Sequence, residues 1–136
     1  MTKMNTPLVC KYQNLQKIVA TLRSKSGCPW DQKQTPLSLN KYLLEETNEL
    51  VEAIENGDTE HIREELGDVF FILTMLINIY EEQDHFTTAD VMSEICAKMI
   101  RRHPHVYEET NTKKTDEELR RQWKEIKAEE SRQRIP

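Results

Sequence analysis

Apolar residues along this chain recur at steps of three and four, and no stretch sustains the alternation expected of a half-buried strand. Leu8, Tyr12, Leu15, Ile18, Val19 and Leu22 mark one face of a first amphipathic helix, expected from about Leu8 to Ser24. Lys25 to Ser38 breaks that pattern with Gly27, Pro29 and Pro36. The same segment carries Cys28, Trp30 and Leu37, which predicts an ordered loop rather than a linker. Ser38 is expected to cap a second helix that runs to about Asn56 and stops at Gly57. Asp58 or Thr59 can cap a third, continuing to about Gln83, and so tight a connection makes the two helices antiparallel neighbours. Thr87 or Thr88 opens a fourth helix, which should end near Arg102 ahead of Pro104. Thr115 and Glu118, at capping-box spacing, open a fifth that reaches about Glu130. The expectation is one all-α domain over residues 1–136, a four-to-five-helix bundle.

The third helix changes this picture in one respect. From Val69 to Ile79 it is apolar almost all round, through Val69, Phe70, Phe71, Ile72, Leu73, Met75, Leu76, Ile77 and Ile79. Such a helix needs cover on every side, more than four other helices supply, and this predicts a homodimer with the third helix near its centre. The apolar run is too short to span a bilayer, and the opening MTKMNTPLVCKYQ lacks the greasy stretch of a secretion signal, so a soluble protein off the membrane is expected.

Charge narrows the partners. Asp and Glu outnumber Lys and Arg by 24 to 19, a formal net charge of −5 that offers no overall attraction to nucleic acid or an anionic membrane. A polyanionic substrate would need local cations. Three cysteines, Cys10, Cys28 and Cys96, are odd in number and form no CxxC pair, which fits reduced thiols in a cytoplasmic protein.

The acid is unevenly spread. Glu45, Glu46, Glu49 and Glu52 crowd the second helix, and Glu64, Glu65 and Asp68 open the third. Glu46 and Glu49 lie three residues apart on one helical face, Glu65 and Asp68 repeat that spacing, and the short connection can set the pairs opposite one another. Like charges brought together in a groove are costly, and a divalent cation removes the cost. Oxygen-only ligands suit Mg²⁺, with Mn²⁺ as a substitute, better than zinc. The plain alternative is a solvated acidic face, which is what most charged helix faces are. Against it, Glu65 and Asp68 directly precede the most apolar segment, and Leu43, Leu44, Leu50 and Ile54 leave Glu46 and Glu49 close to the apolar side of their helix.

These residues resemble a known family. Glu45, Glu46 and Glu49, followed by Glu65 and Asp68, are similar to the EExxE and ExxD halves of the MazG nucleotide pyrophosphohydrolase signature. Cys28, Pro29, Trp30 and Asp31, then Gln34 and Thr35, resemble the family's CPWD loop. KMIRRHPHV, from Lys98 to Val106, resembles its KxxRRHPHVF segment, and WKEIKAEE, with Trp123 and Lys127, its closing motif. The likeness covers about residues 12–130, and four ordered motifs are far more specific than a lone EExxE. Tyr107 stands in place of the usual Phe, and Pro36 where His or Phe is common. Only one such domain is present, where some relatives carry two.

The resemblance implies an all-α MazG-type bundle and magnesium-dependent hydrolysis of a nucleoside triphosphate to the monophosphate and pyrophosphate, by water attack at the α-phosphorus. It makes Glu46, Glu49, Glu65 and Asp68 the metal ligands. Glu45 becomes an acceptor beside them or the group that orients the water. Lys98, Arg102, Trp123 and Lys127 become substrate contacts, with Trp30 and Asp31 as candidate pocket residues. Lys98 and Arg102 have a simpler reading as cations complementing a helix carboxyl end. Arg101, His103 and His105 suggest a structural turn, since two histidines flanking one proline lack a further ligand set. Three alternatives stay open: a module that binds metal and nucleotide without turnover, a related pyrophosphatase for another nucleotide, and a dimerisation scaffold with incidental charge.

Overall fold

The computed structural model of the protein describes residues 7–108 and 113–134, which form seven helices and no strand. The all-α class expected from the periodicity is what the chain adopts. The elements are α1 (Leu8–Leu22), α2 (Pro29–Gln32), α3 (Pro36–Asn56), α4 (Thr59–Glu82), α5 (Thr88–Arg102), α6 (Pro104–Tyr107) and α7 (Asp116–Gln133). By its contacts the chain divides into two compact units, Met1–Thr88 and Ala89–Pro136.

In the first unit α4 packs against both α3 and α1. The second long helix starts earlier than the sequence suggests. Thr35, not Ser38, is its N-cap: the Thr35 hydroxyl accepts from the Ser38 amide at 3.1 Å, and the Ser38 hydroxyl accepts from the Thr35 amide at 2.9 Å. Pro36 then occupies the first helical turn, where its missing N–H costs nothing and its fixed φ favours the helix. The expected loop before it contains the short helix α2, and α6 likewise forms inside the RRHPHV segment. Gly57 ends α3 in the left-handed conformation at φ 71°, and the Asp58 carboxylate caps α4 through the amides of Glu60 and His61.

The core has a simple register. On α4 the positions Glu65, Asp68, Ile72, Met75 and Ile79 advance by alternate steps of three and four, the spacing that keeps a seam facing one neighbour. Leu39, Tyr42, Glu46, Glu49 and Ala53 do the same on α3. Leu39, Ala53 and Met75 are wholly buried, and Val19 of α1 and Ile79 join Leu39 and Met75 in one cluster flanked by Leu15, Trp30, Tyr42, Phe71 and Leu76. Ala53 has a methyl group where a larger side chain would hold the helices apart. The four acids thus occupy seam positions that the same spacing elsewhere fills with apolar side chains.

Arg23 fastens the loop to this core. Its Nη1 donates to the backbone oxygens of Asp31, at 2.6 Å, and Gln34, at 3.1 Å, while Nε and Nη2 pair with Glu82 of α4 at 2.9 Å each. The chain leaves α1 through Gly27, whose Cα lies against its backbone: an added Cβ would sit 2.3 Å from the carbonyl oxygens of Thr21 and Leu22.

The second unit is built differently. None of the described residues in α5, α6 or α7 is buried. Polar and aromatic contacts join them, chiefly those of Arg101, Arg102, His103 and His105 with α7.

Gly27→Ala is expected to lower the urea midpoint, because rigid backbone must move to admit the methyl group. Gly67→Ala, whose Cβ would meet nothing within 4 Å, should leave the midpoint unchanged or raise it by up to about 1 kcal/mol of stability, the usual gain over glycine inside a helix. Equal midpoints for the two variants would contradict the close approach at Gly27.

Candidate metal centre

The seam brings three carboxylates together. Glu46, Glu49 and Glu65 each offer an oxygen, and these atoms lie within 4.8 Å of one another. Glu65, on the first turns of α4, is 6% exposed; Glu46 is half-buried and Glu49 exposed, so the group opens to solvent on the Glu49 side. Asp68 is half-buried one turn after Glu65, and its charge acts on both Glu46 and Glu65. Glu45 is exposed and stands outside the group of three.

The electrostatics follow from this placement. Burial raises the Glu46 carboxyl above the usual carboxylate range, and the charges of Glu49, Asp68 and Glu65, with a hydrogen bond to Glu49, push it the same way. Burial also leads the upward shift of Glu65, reinforced by Glu49 and Asp68 and opposed by a hydrogen bond to His61. That bond joins His61 Nε2 to Glu65 Oε1 at 3.1 Å, one helical turn apart. Glu46 Oε2 and Glu65 Oε2 are buried without a hydrogen-bond partner among the described residues. Buried carboxylate oxygens without partners are rare and need an explanation. A hard divalent cation would supply one: the donors are all oxygen, and their separation suits ligands converging on one ion.

The other candidate residues are placed as follows. Trp30 packs edge-on against the Tyr42 ring, centroids 5.2 Å apart, and flanks the core cluster. It also lines a shallow groove with Lys33, Gln34, Ser38, Lys41 and Tyr42. Asp31, on α2, is buried, 6% exposed. In the second unit Lys98 is half-buried on α5 and Lys127 exposed on α7. Arg102 donates through Nε and Nη2 to Glu130, with Nη2 to Oε2 at 3.0 Å, and its guanidinium lies over the Trp123 ring, 4.9 Å from the centroid. Trp123 further lines a shallow groove with Leu119, Arg120 and Lys124. His103 donates from Nδ1 to the Met99 carbonyl at 2.6 Å and meets the edge of Trp123, while His105 Nδ1 accepts from Gln122 at 3.0 Å. Both imidazoles are thereby engaged in the turn.

Two residues of interest escaped sequence reasoning. His61 was legible in principle, since it stands four residues before Glu65. Glu130 gave no local signal, because its arginine partners lie on another helix.

The raised carboxyls set a sign for pH dependence. The folded chain holds these protons to higher pH than the unfolded chain does. Stability of the metal-free protein therefore falls as pH rises from the ordinary carboxylate range through the raised values. Glu46→Gln should flatten that fall, and magnesium should raise the melting temperature of the wild type more than that of the variant. Thermal melts across about pH 5 to 8, with and without magnesium, test both; parallel curves for the two proteins would remove the cluster as the cause.

With this geometry in place, the relatives of the chain can be set beside it. Residues 34–107 match the MazG nucleotide pyrophosphohydrolase domain. The chain is 41% identical over 119 residues to the nucleoside triphosphate pyrophosphohydrolase/pyrophosphatase MazG of Thermotoga maritima, covering 88% of this chain and 45% of that protein. It is 38% identical over 121 residues to the nucleoside triphosphate pyrophosphohydrolase of Escherichia coli K12, covering 88% and 46%. With the uncharacterized protein YabN of Bacillus subtilis it shares 42% identity over 117 residues, 86% of this chain and 24% of that one. The chain thus spans less than half the length of these curated relatives. The crystal structure of a mazG-related protein from Thermotoga maritima superposes with a TM-score of 0.70 at 26% identity, covering 85% of this chain and 98% of that one. The domain match takes in more than half of the chain and contains the whole carboxylate group, and this chain belongs to the MazG nucleotide pyrophosphohydrolase family.

Proposed function

We propose that the chain is a magnesium-dependent nucleoside triphosphate pyrophosphohydrolase, acting in the cytoplasm on free nucleotides and not on nucleic acid. The observation that carries this reading is the pair of orphaned, buried carboxylate oxygens of Glu46 and Glu65 in a group of three acids. An acidic face meant only for solvent has no reason to bury its charges with raised pKa values. Relatives named for this activity match across most of the chain.

Glu46, Glu49 and Glu65, with Asp68, would hold the metal, Mg²⁺ or Mn²⁺ in its place. When bound it supplies a Lewis acid for phosphoryl oxygens and makes water more acidic. The chain's own part is to orient. Seam packing fixes the α3 and α4 backbones, and His61 holds one oxygen of Glu65. Glu49, on the open side, can reach a water that the buried Glu65 cannot. In the reaction a water oxygen bonds to the α-phosphorus and the bond to the bridging oxygen of the β-phosphate breaks. The water's proton passes to solvent or a carboxylate, and pyrophosphate leaves. Lys98, Arg102 and Lys127 are the proposed phosphate contacts, Trp123 a base or ribose contact, and Glu45 an acceptor beside the ligands. Trp30 and Asp31 are retained as residues that shape the site, through packing and loop order. The reading extends to deoxynucleotides and to clearing unwanted nucleotides from the pool.

Glu49→Gln and Asp68→Asn are expected to lower magnesium-dependent release of pyrophosphate at least about a hundredfold while far-UV circular dichroism stays unchanged. Wild-type protein that binds magnesium and nucleotide but releases no pyrophosphate from any common ribo- or deoxynucleoside triphosphate would favour a binding module instead.

The homodimer belongs to the same proposal. Phe70, 50% exposed, Leu73, 41%, and Leu66 form a stripe on α4 at three- and four-residue steps, and Leu44, Val51 and Ile54 are exposed on α3. So many large apolar side chains on one helical pair mark an interaction surface, and a second copy of the chain is the simplest cover. Light scattering should find a dimer, and Phe70→Glu with Leu73→Glu a monomer; a monomeric wild type at micromolar concentration would refute it.

A further inference from the structure

We infer that Glu130 is a positioning residue for substrate binding: it holds Arg102 in one orientation so that the guanidinium edge that Glu130 does not take can meet a phosphate oxygen. The inference rests on the reading of Arg102 as a phosphate contact and deepens it.

Arg102 is the last residue of α5, and a long side chain at a helix end would sample many rotamers. Two contacts on α7 remove that freedom. Glu130 takes the Nε/Nη2 edge, with Nε to Oε1 at 3.1 Å, Nε to Oε2 at 3.3 Å and Nη2 to Oε2 at 3.0 Å. Trp123 covers the face. One edge and the plane are fixed, and Nη1 is on the side that the pair does not use. A guanidinium has five donors in a planar fork, so it can serve two anions at once, and an arginine already held by one loses less freedom on binding the other.

Glu130 also binds Arg101, whose Nε and Nη2 reach Oε1 at 3.2 and 3.1 Å. One carboxylate between two guanidiniums leaves the group with a net charge of +1, so an anion is still attracted. The carboxylate is 12% exposed and Arg102 14%, which sets this pair apart from an ordinary surface ion pair. The hydrogen bonds from Arg102, with those from Arg101, hold the Glu130 carboxyl at about 2, so it remains an anion at every pH at which the enzyme would be assayed.

The test is a double-mutant cycle on the full chain. It measures steady-state turnover and calorimetric affinity for a non-hydrolysable α,β-methylene nucleoside triphosphate with magnesium. Arg102→Ala and Glu130→Gln should each raise KM about tenfold with kcat within about twofold, the pattern of a lost contact made equally in ground and transition states. The analogue should weaken in parallel. The double variant should be no worse than Arg102→Ala, because Glu130 acts only through the arginine. Glu130→Asp, which keeps the charge, should recover part of the affinity and guards against a Gln variant that folds poorly. Magnesium affinity measured without nucleotide should be the same in all variants. If Arg102→Ala raises KM while Glu130→Gln does not, or if the two effects add, the positioning role is overturned and Arg102 remains a phosphate contact. A lower KM in Glu130→Gln also overturns it, since the carboxylate would then compete with phosphate. If Arg102→Ala leaves KM and analogue affinity unchanged, the reading of Arg102 fails and takes the inference with it.

Discussion

The structure depends on like charges being held close where apolar side chains would ordinarily sit. Glu46 and Glu49 on α3, and Glu65 and Asp68 on α4, continue the same three-and-four register that carries Leu39 and Ala53 on one helix and Ile72, Met75 and Ile79 on the other. Repulsion among acids at one end of a helix pair would splay that end. Two features oppose it. The connection is only Gly57 and Asp58, with Gly57 in a conformation that few other residues tolerate and Asp58 capping α4. Beyond the acids, the wholly buried Leu39 and Met75 draw the same two helices together. The fold itself therefore holds the acids together, at a cost in stability.

That cost is visible in the carboxyls themselves. Glu46 and Glu65 hold protons more tightly than free side chains do, chiefly because burial penalises their charged forms. A structural ion pair would lower such values, as the arginines lower that of Glu130 in the other unit. The two acidic environments in one chain thus have opposite signs. Glu130 has two arginines beside it, whereas among the described residues Glu46 Oε2 and Glu65 Oε2 have no hydrogen-bond partner. Within the folded chain that contrast separates an acid paired with arginines from acids crowded by one another.

Most of this was legible in the sequence, and the failures have local causes. The long helices and the tight turn between α3 and α4 follow from periodicity and from Gly57, and the opposed acids follow from spacing alone. The start of α3 differs from the expected one because proline at a first helical turn favours the helix, and Thr35 with Ser38 supplies the caps. Four-residue helices such as α2 and α6 are too short to show a period. Arg23, at the end of α1, holds the backbone oxygens of Asp31 and Gln34, a contact that no local spacing announces. Glu130 was missed for the same reason: pairs between distant helices leave no mark at fixed spacing.

The second unit adds a constraint of its own. Among its described residues none in α5, α6 or α7 is buried, and these helices are joined by contacts such as those of Glu130 with two arginines and of Trp123 with Arg102 and His103. On the proposed reading the same arginine would both hold helices together and meet a phosphate. Those tasks are compatible only because the guanidinium has more donors than one carboxylate can use. A lysine at position 102, with a single point charge, would have to choose between them. The planar fork would let structure and recognition share one side chain.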